Sequence, residues 1–264
     1  MVAATRKERW PVKLFLINLG YCDVDKGRVL TPGSGVGHRI VIPIVGYLIE
    51  TDDGTRILVD SGMHRKHITQ PDATFGGTEF GNYLTPIMKP EHDIRSRLGE
   101  LGLTPDDIDI VVSTHFHFDH AGNHGDFGNA RIVTQRAAYE YAKDNPARFP
   151  ADCWDLPHLH YELIEGDVEI TPGVVLLATP GHAPGHMSVL VRLPKTGPVI
   201  LAIDAIYTLE NLETDNWSGY HDPDEAKRSA HRLKELADRE GALLITGHDP
   251  EQWAELRLAP GFYE

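Results

Sequence analysis

A chain of 264 residues, 41% hydrophobic and 24% charged, has the composition of a globular protein long enough to bury a substantial core, as one large α/β domain or two small ones. Its formal net charge of −14, with no Lys/Arg-rich stretch, argues against nucleic acid as a partner and disfavours an anionic membrane surface. Two cysteines, Cys22 and Cys153, lie far apart, so neither a disulfide framework nor a thiolate metal site is signalled.

The N-terminus places basic residues ahead of "VKLFLINLG" and so imitates a secretory signal. The apolar run is short, is broken by Lys13 and Asn18, and has no small-residue cleavage pattern after it, so it reads as a first strand. With no apolar run of membrane-spanning length, a soluble cytoplasmic protein is expected. "RILVD" (56–60) reads as a buried strand. The segment 64–92 is long, irregular and rich in Gly and aromatics, in the manner of a functional lid. A helix is predicted around 91–101, with Ile94, Leu98 and Leu101 on one face. A short one starts at the Thr104 cap and Pro105. Further strands are predicted at 108–114, 130–134, 174–179, 198–204 and 242–247. Before the last of these, Asp222 is a candidate N-cap, Pro223 the first helical residue and Glu225 the capping-box partner. Ala226, Ala230, Leu233 and Ala237 form an apolar stripe, and Gly241 supplies the stop. Strands mixed with helices, without a linker, predict a single layered α/β domain over 1–264.

Residues 113–127, "STHFHFDHAGNHGDF", crowd three histidines and an aspartate between His115 and His120. On an extended segment His115, His117 and Asp119 share one side and His120 faces away. Gathering these groups is unfavourable unless a positive charge sits between them, and a divalent metal is the candidate. Three more apolar runs end in such residues: "VVLLATPGH" in His182, "VILAID" in Asp204 and "ALLITGH" in His248. Five imidazoles and two carboxylates suit two metals better than one, since a single zinc takes about four ligands. Nitrogen and oxygen donors point to zinc first and leave manganese, cobalt and iron open.

"THFHFDHAG" resembles the HxHxDH signature of the metallo-β-lactamase superfamily, and "TPGHAPGH", "AIDAIYT" and "TGHDPEQ" follow in the order that superfamily uses. Through "LPHLHYELIEGDVEITPGVVLLATPGHAPGHMS" and "DAIYTLENLET" the chain is most similar to the N-acyl homoserine lactonases that quench quorum sensing. The resemblance implies an αββα sandwich of two mixed β-sheets flanked by helices. It implies one metal held by His115, His117 and His182, the other by Asp119, His120 and His248, and Asp204 bridging them. Asp60 matches a carboxylate that orients a ligand histidine, while His186 reads as structural. The expected reaction is attack of a hydroxide shared by the metals on the lactone carbonyl. Tyr207 would donate a hydrogen bond to substrate, and Asp119 would return a proton to the leaving alkoxide. Phe75, Phe80, Tyr83 and Met88, with Phe118, are candidates for an apolar wall around an acyl chain, although the loop aromatics would serve equally to pin the loop to the core or to a subunit interface. The expected partner is a small lactone, with a homodimer left open. The rival readings are a lactonase for another ring, such as a pyridoxolactonase-like enzyme, and a non-catalytic metal-binding protein of the same fold.

Overall fold

The computed structural model describes residues 12–264, so the basic segment ahead of the first strand lies outside the described residues. In chain order the elements are β1 (Val12–Asp25), α1 (Lys26–Val29), β2 (Arg39–Thr51), β3 (Arg56–Val59), β4 (Leu84–Ile87), α2 (Ile94–Glu100), β5 (Ile110–Val112), β6 (Arg131–Gln135) and α3 (Arg136–Asp144). Then come β7 (His160–Ile164), β8 (Val168–Thr171), β9 (Val174–Ala178), β10 (Met187–Leu193), β11 (Gly197–Ile203), α4 (Leu209–Thr214), α5 (Pro223–Glu240), β12 (Leu243–Thr246) and α6 (Pro250–Glu255). One sheet has the strand order β4-β1-β2-β3-β5-β6-β7 and the other β12-β11-β10-β9-β8. Both are mixed: β3, β5, β6 and β7 run parallel, as do β11 and β12, and the remaining pairs are antiparallel.

Alternation along the strands explains the layering. Ile57 and Val59 of β3 meet Val189 and Val191 of β10 and Val199 and Leu201 of β11 in one buried seam between the sheets. The intervening Leu58, Leu190 and Ile200 face outward into a second core that includes Ile94 and Leu98 of α2 and Ala226, Ala230 and Leu233 of α5. Each fully buried aliphatic side chain contributes about 1.5–3 kcal/mol, so these seams rather than the surface ion pairs hold the layers together. The result is an αββα sandwich, as the resemblance implies.

Several local expectations carry over with changes. Asp222 caps α5 through Oδ1, which accepts from the Glu225 amide at 2.9 Å, and Gly241 ends the helix at φ 64°. Thr104 and Pro105 open only a 3₁₀ turn, Pro105–Asp107. The helix expected at 91–101 divides into a 3₁₀ turn, Pro90–His92, and α2, because the Asp93 side chain accepts from the Arg95 amide and restarts the helix there. The 64–92 segment is less irregular than its composition implies, since β4 adds to the edge of β1. No helix among the described residues is long and apolar enough to cross a membrane.

Candidate metal centre

Strand ends deliver the polar residues to one edge of the sandwich. After β5 the chain turns instead of extending: the amides of His120 and Ala121 both donate to His117 O at 3.0 Å. This corrects the expectation that His120 faces away, because the turn swings its ring back beside His115, with ring centroids 4.1 Å apart. His182 follows β9 on a loop clamped by α5, whose Asp222 amide donates to Gly181 O at 2.8 Å. Gly181 has φ +128°, and a Cβ there would lie 2.2 Å from the Ala226 amide nitrogen, so no other residue fits before His182. Asp204 follows an irregularity between Leu201 and Ile203, where β11 shifts register against β12. Ile203 sits at φ 52°, a conformation a β-branched residue adopts only at a cost on the order of 1–3 kcal/mol. That strain aims Asp204 into the site, and His186 Nε2 holds it there by accepting from the Asp204 amide at 3.2 Å.

Two donor groups result. His182 Nε2 lies 2.8 Å from His117 Nδ1 and 3.1 Å from His115 Nε2, and the latter two are 3.0 Å apart. Asp119, His120 and His248 form the second group. Asp204 faces both: Oδ2 is 3.2 Å from His182 Nε2 and 3.7 Å from His115 Nε2, while Oδ1 is 3.1 Å from His248 Nε2 and 3.3 Å from His120 Nε2.

Outer contacts fix which ring nitrogens carry lone pairs. His248 Nδ1 is 2.9 Å from Pro43 O, a carbonyl that only accepts, so Nδ1 holds the proton and Nε2 turns its lone pair inward. His120 Nδ1 is 2.8 Å from Asp60 Oδ2, with the same consequence. Asp60 also accepts from the Thr114 amide at 2.9 Å and from Thr114 Oγ1 at 2.8 Å. Buried His120 Nε2 and Asp204 Oδ1 find no hydrogen-bond partner among the described residues. Converging lone pairs and orphaned buried atoms of nitrogen and oxygen type fit a pair of divalent cations.

Burial pulls the basicity of His115 and His182 well down, and takes His117 to about 3 with help from the Arg148 charge. Burial acts the same way on His120, but Asp204, Asp119 and Asp60 outweigh it and raise that imidazole well above its ordinary value. On Asp204 burial opposes ionisation, yet His120, His248 and His182 hold the carboxyl well below the usual range. On Asp119 burial prevails and the carboxyl is raised. Tyr207 is pushed well above a normal phenol by burial, so it stays protonated; its hydroxyl is 2.8 Å from His182 Nδ1.

A cavity of about 410 Å³ opens onto His117, Asp119, His182, Asp204, Tyr207 and His248. Its apolar side includes Leu30, Ile42, Phe75, Phe80 and Phe118, with the Phe75 ring edge-on to Phe118 at 4.8 Å and to Phe80 at 4.9 Å. Met88 is not part of this wall: it does not line the cavity and is buried at 7% exposure in the hydrophobic core. Nor does Tyr83 line it, since its hydroxyl donates to Glu79 and its ring carries the Arg28 guanidinium at 4.5 Å. Leu30, Ile42 and Tyr220 belong to no motif, and only the folded chain brings them here. Tyr220 is buried 4.7 Å from the Tyr207 ring, and its hydroxyl accepts the Tyr207 amide at 3.2 Å.

A two-sheet sandwich with clustered imidazoles and carboxylates at one edge defines a class, and a profile of the Metallo-beta-lactamase superfamily matches residues 40–248. N-acyl homoserine lactonase AiiA of Bacillus thuringiensis subsp. kurstaki is 41% identical over 253 residues, 95% of this chain and 98% of that protein. AttM of Rhizobium radiobacter, also an N-acyl homoserine lactonase, is 32% identical over 96% of this chain and 98% of its own. A solved N-acyl homoserine lactone hydrolase with N-hexanoyl-L-homoserine bound at its catalytic metal centre superposes with a TM-score of 0.88 at 40% identity, covering 95% of this chain and 98% of that one. The chain belongs to the N-acyl homoserine lactonase family of the metallo-β-lactamase superfamily.

Proposed function

We propose that this chain hydrolyses N-acyl homoserine lactones, adding water across the acyl–oxygen bond of the ring to give N-acyl homoserines. The observation that carries the reading is the meeting of seven donor residues, five of which line a largely apolar cavity, in a chain 41% identical to a lactonase along nearly its whole length. His115, His117 and His182 would hold one cation, Asp119, His120 and His248 the other, and Asp204 both; the donor types favour zinc. Bound there, the pair supplies Lewis acidity for the carbonyl oxygen and a water that ionises near pH ~7.

The protein's own residues do the rest. With His182 Nε2 turned inward, its Nδ1–H donates to the Tyr207 oxygen, which leaves the phenolic proton free for the substrate carbonyl oxygen as negative charge develops. Asp119, which lines the cavity, moves the proton released by the attacking water to the departing ring oxygen, so that a hydroxyl rather than an alkoxide leaves. Phe75 and Phe118 exclude water from the acyl side. Both cysteines are buried and unpaired, which supports a reducing compartment such as the cytoplasm.

Ring-opening kinetics over a series of acyl lengths, with metal content measured on the same sample, test this. Opening in proportion to metal content is expected, and a metal-replete protein that opens no lactone would refute the reading. Tyr207→Phe is expected to lower kcat about 10–100-fold with metal content intact. Unchanged kinetics would remove the phenol from the reaction.

A further inference from the structure

The cavity holds a cation that the reaction above does not use. Arg148 lines it beside His117 and Phe118. Its backbone is fixed by a turn after α3, in which the Arg148 and Phe149 amides donate to Asn145 O at 3.0 and 3.2 Å and Asn145 Nδ2 donates to Tyr141 O at 2.8 Å. Phe149 anchors that turn to the metal centre by stacking on the His117 ring at 5.2 Å and 16°. The guanidinium lies 5.8 Å from the Phe149 ring centroid, over an aromatic shelf.

Among the described residues no carboxylate pairs with Arg148, whereas Arg28, which lines the same cavity, has Asp25 at 3.9 Å. A guanidinium presents parallel N–H donors in a rigid fork, which two neighbouring oxygens satisfy and one does not. An alkyl chain lying along the apolar wall would strip water from this fork without replacing it. A chain with an oxygen two carbons beyond its amide carbonyl offers two acceptors side by side.

We propose that Arg148 is a specificity-determining residue that takes the amide oxygen and a second acyl oxygen together, so that this chain prefers N-acyl homoserine lactones bearing a keto or hydroxyl group on the third acyl carbon. The inference rests on the lactonase reading above and adds the substrate class. The test is the ratio of kcat/KM for 3-oxohexanoyl over hexanoyl homoserine lactone on the metal-loaded protein. A ratio of about tenfold or more is expected for the unsubstituted protein, falling to within about twofold of one in Arg148→Met, which keeps the stem against Phe149. Calorimetric affinity for the two ring-opened products, which are not turned over, should show the same difference and the same loss. Arg148→Lys keeps the charge without the fork and is expected to lose most of the preference.

A ratio at or below one in the unsubstituted protein, or one that Arg148→Met leaves unchanged, would overturn the role of Arg148 while the lactonase reading stands. Full preference in Arg148→Lys would overturn the two-oxygen fork. If neither lactone is opened, the lactonase reading fails and this inference falls with it.

Discussion

Asp204→Asn is expected to leave fewer than two metals per chain and to slow ring opening at least about a thousandfold, which is about 4 kcal/mol in the barrier. The reason is that one side chain serves both donor groups: Oδ1 faces His120 and His248, and Oδ2 faces His115 and His182, at 3.1–3.7 Å. Asparagine keeps the shape but has one acceptor oxygen, and its NH₂ would direct hydrogens at one of the two groups. The site would also lose one negative charge in a place 3% exposed to solvent, where water cannot replace it. The fold should survive, because the seam between the sheets is built from β3, β10 and β11 side chains that do not depend on Asp204. Elemental analysis together with far-ultraviolet circular dichroism checks both halves. Two metals per chain in the variant would show that Asp204 is not shared.

How much of this was legible beforehand depended on whether a residue's local sequence already determined its surroundings. His182, Asp204 and His248 stood out because each ends an apolar run, where a polar group needs a partner. Asp222 and Gly241 marked the ends of α5 because capping is a local matter. The strands β7 and β8 escaped notice because they are short and half polar, and β2 because Pro43 and Gly46 interrupt an apolar run that tertiary pairing nonetheless keeps extended. The sequence places His120 on the opposite side because a period of two assumes an extended chain, and two amides on the His117 carbonyl override it. That Met88 does not line the cavity is not legible in the sequence, because residue type records apolarity and not direction. The left-handed conformation of Ile203 leaves no trace in the sequence, since a β-branched residue is the last choice for it. The lack of a carboxylate beside Arg148 is likewise a property of space alone.

Asp60→Asn is expected to weaken the metal site proposed at Asp119, His120 and His248 about 10–100-fold while leaving a folded protein. Asp60 is fully buried and accepts three hydrogen bonds, two on Oδ2, one of them from His120 Nδ1. Its φ of 58° is one that asparagine also tolerates, so the substitution keeps the backbone where alanine would strain it. With the asparagine oxygen on the Thr114 amide, its NH₂ meets His120 Nδ1 donor to donor. The ring relieves the clash by moving its proton to Nε2, the nitrogen now orphaned toward the centre, and a protonated Nε2 offers a cation no lone pair. Competition with a chelator of known affinity should release one metal earlier than the other in the variant. Equal affinity of both metals in the variant and the unsubstituted protein would show that Asp60 acts only by holding Thr114.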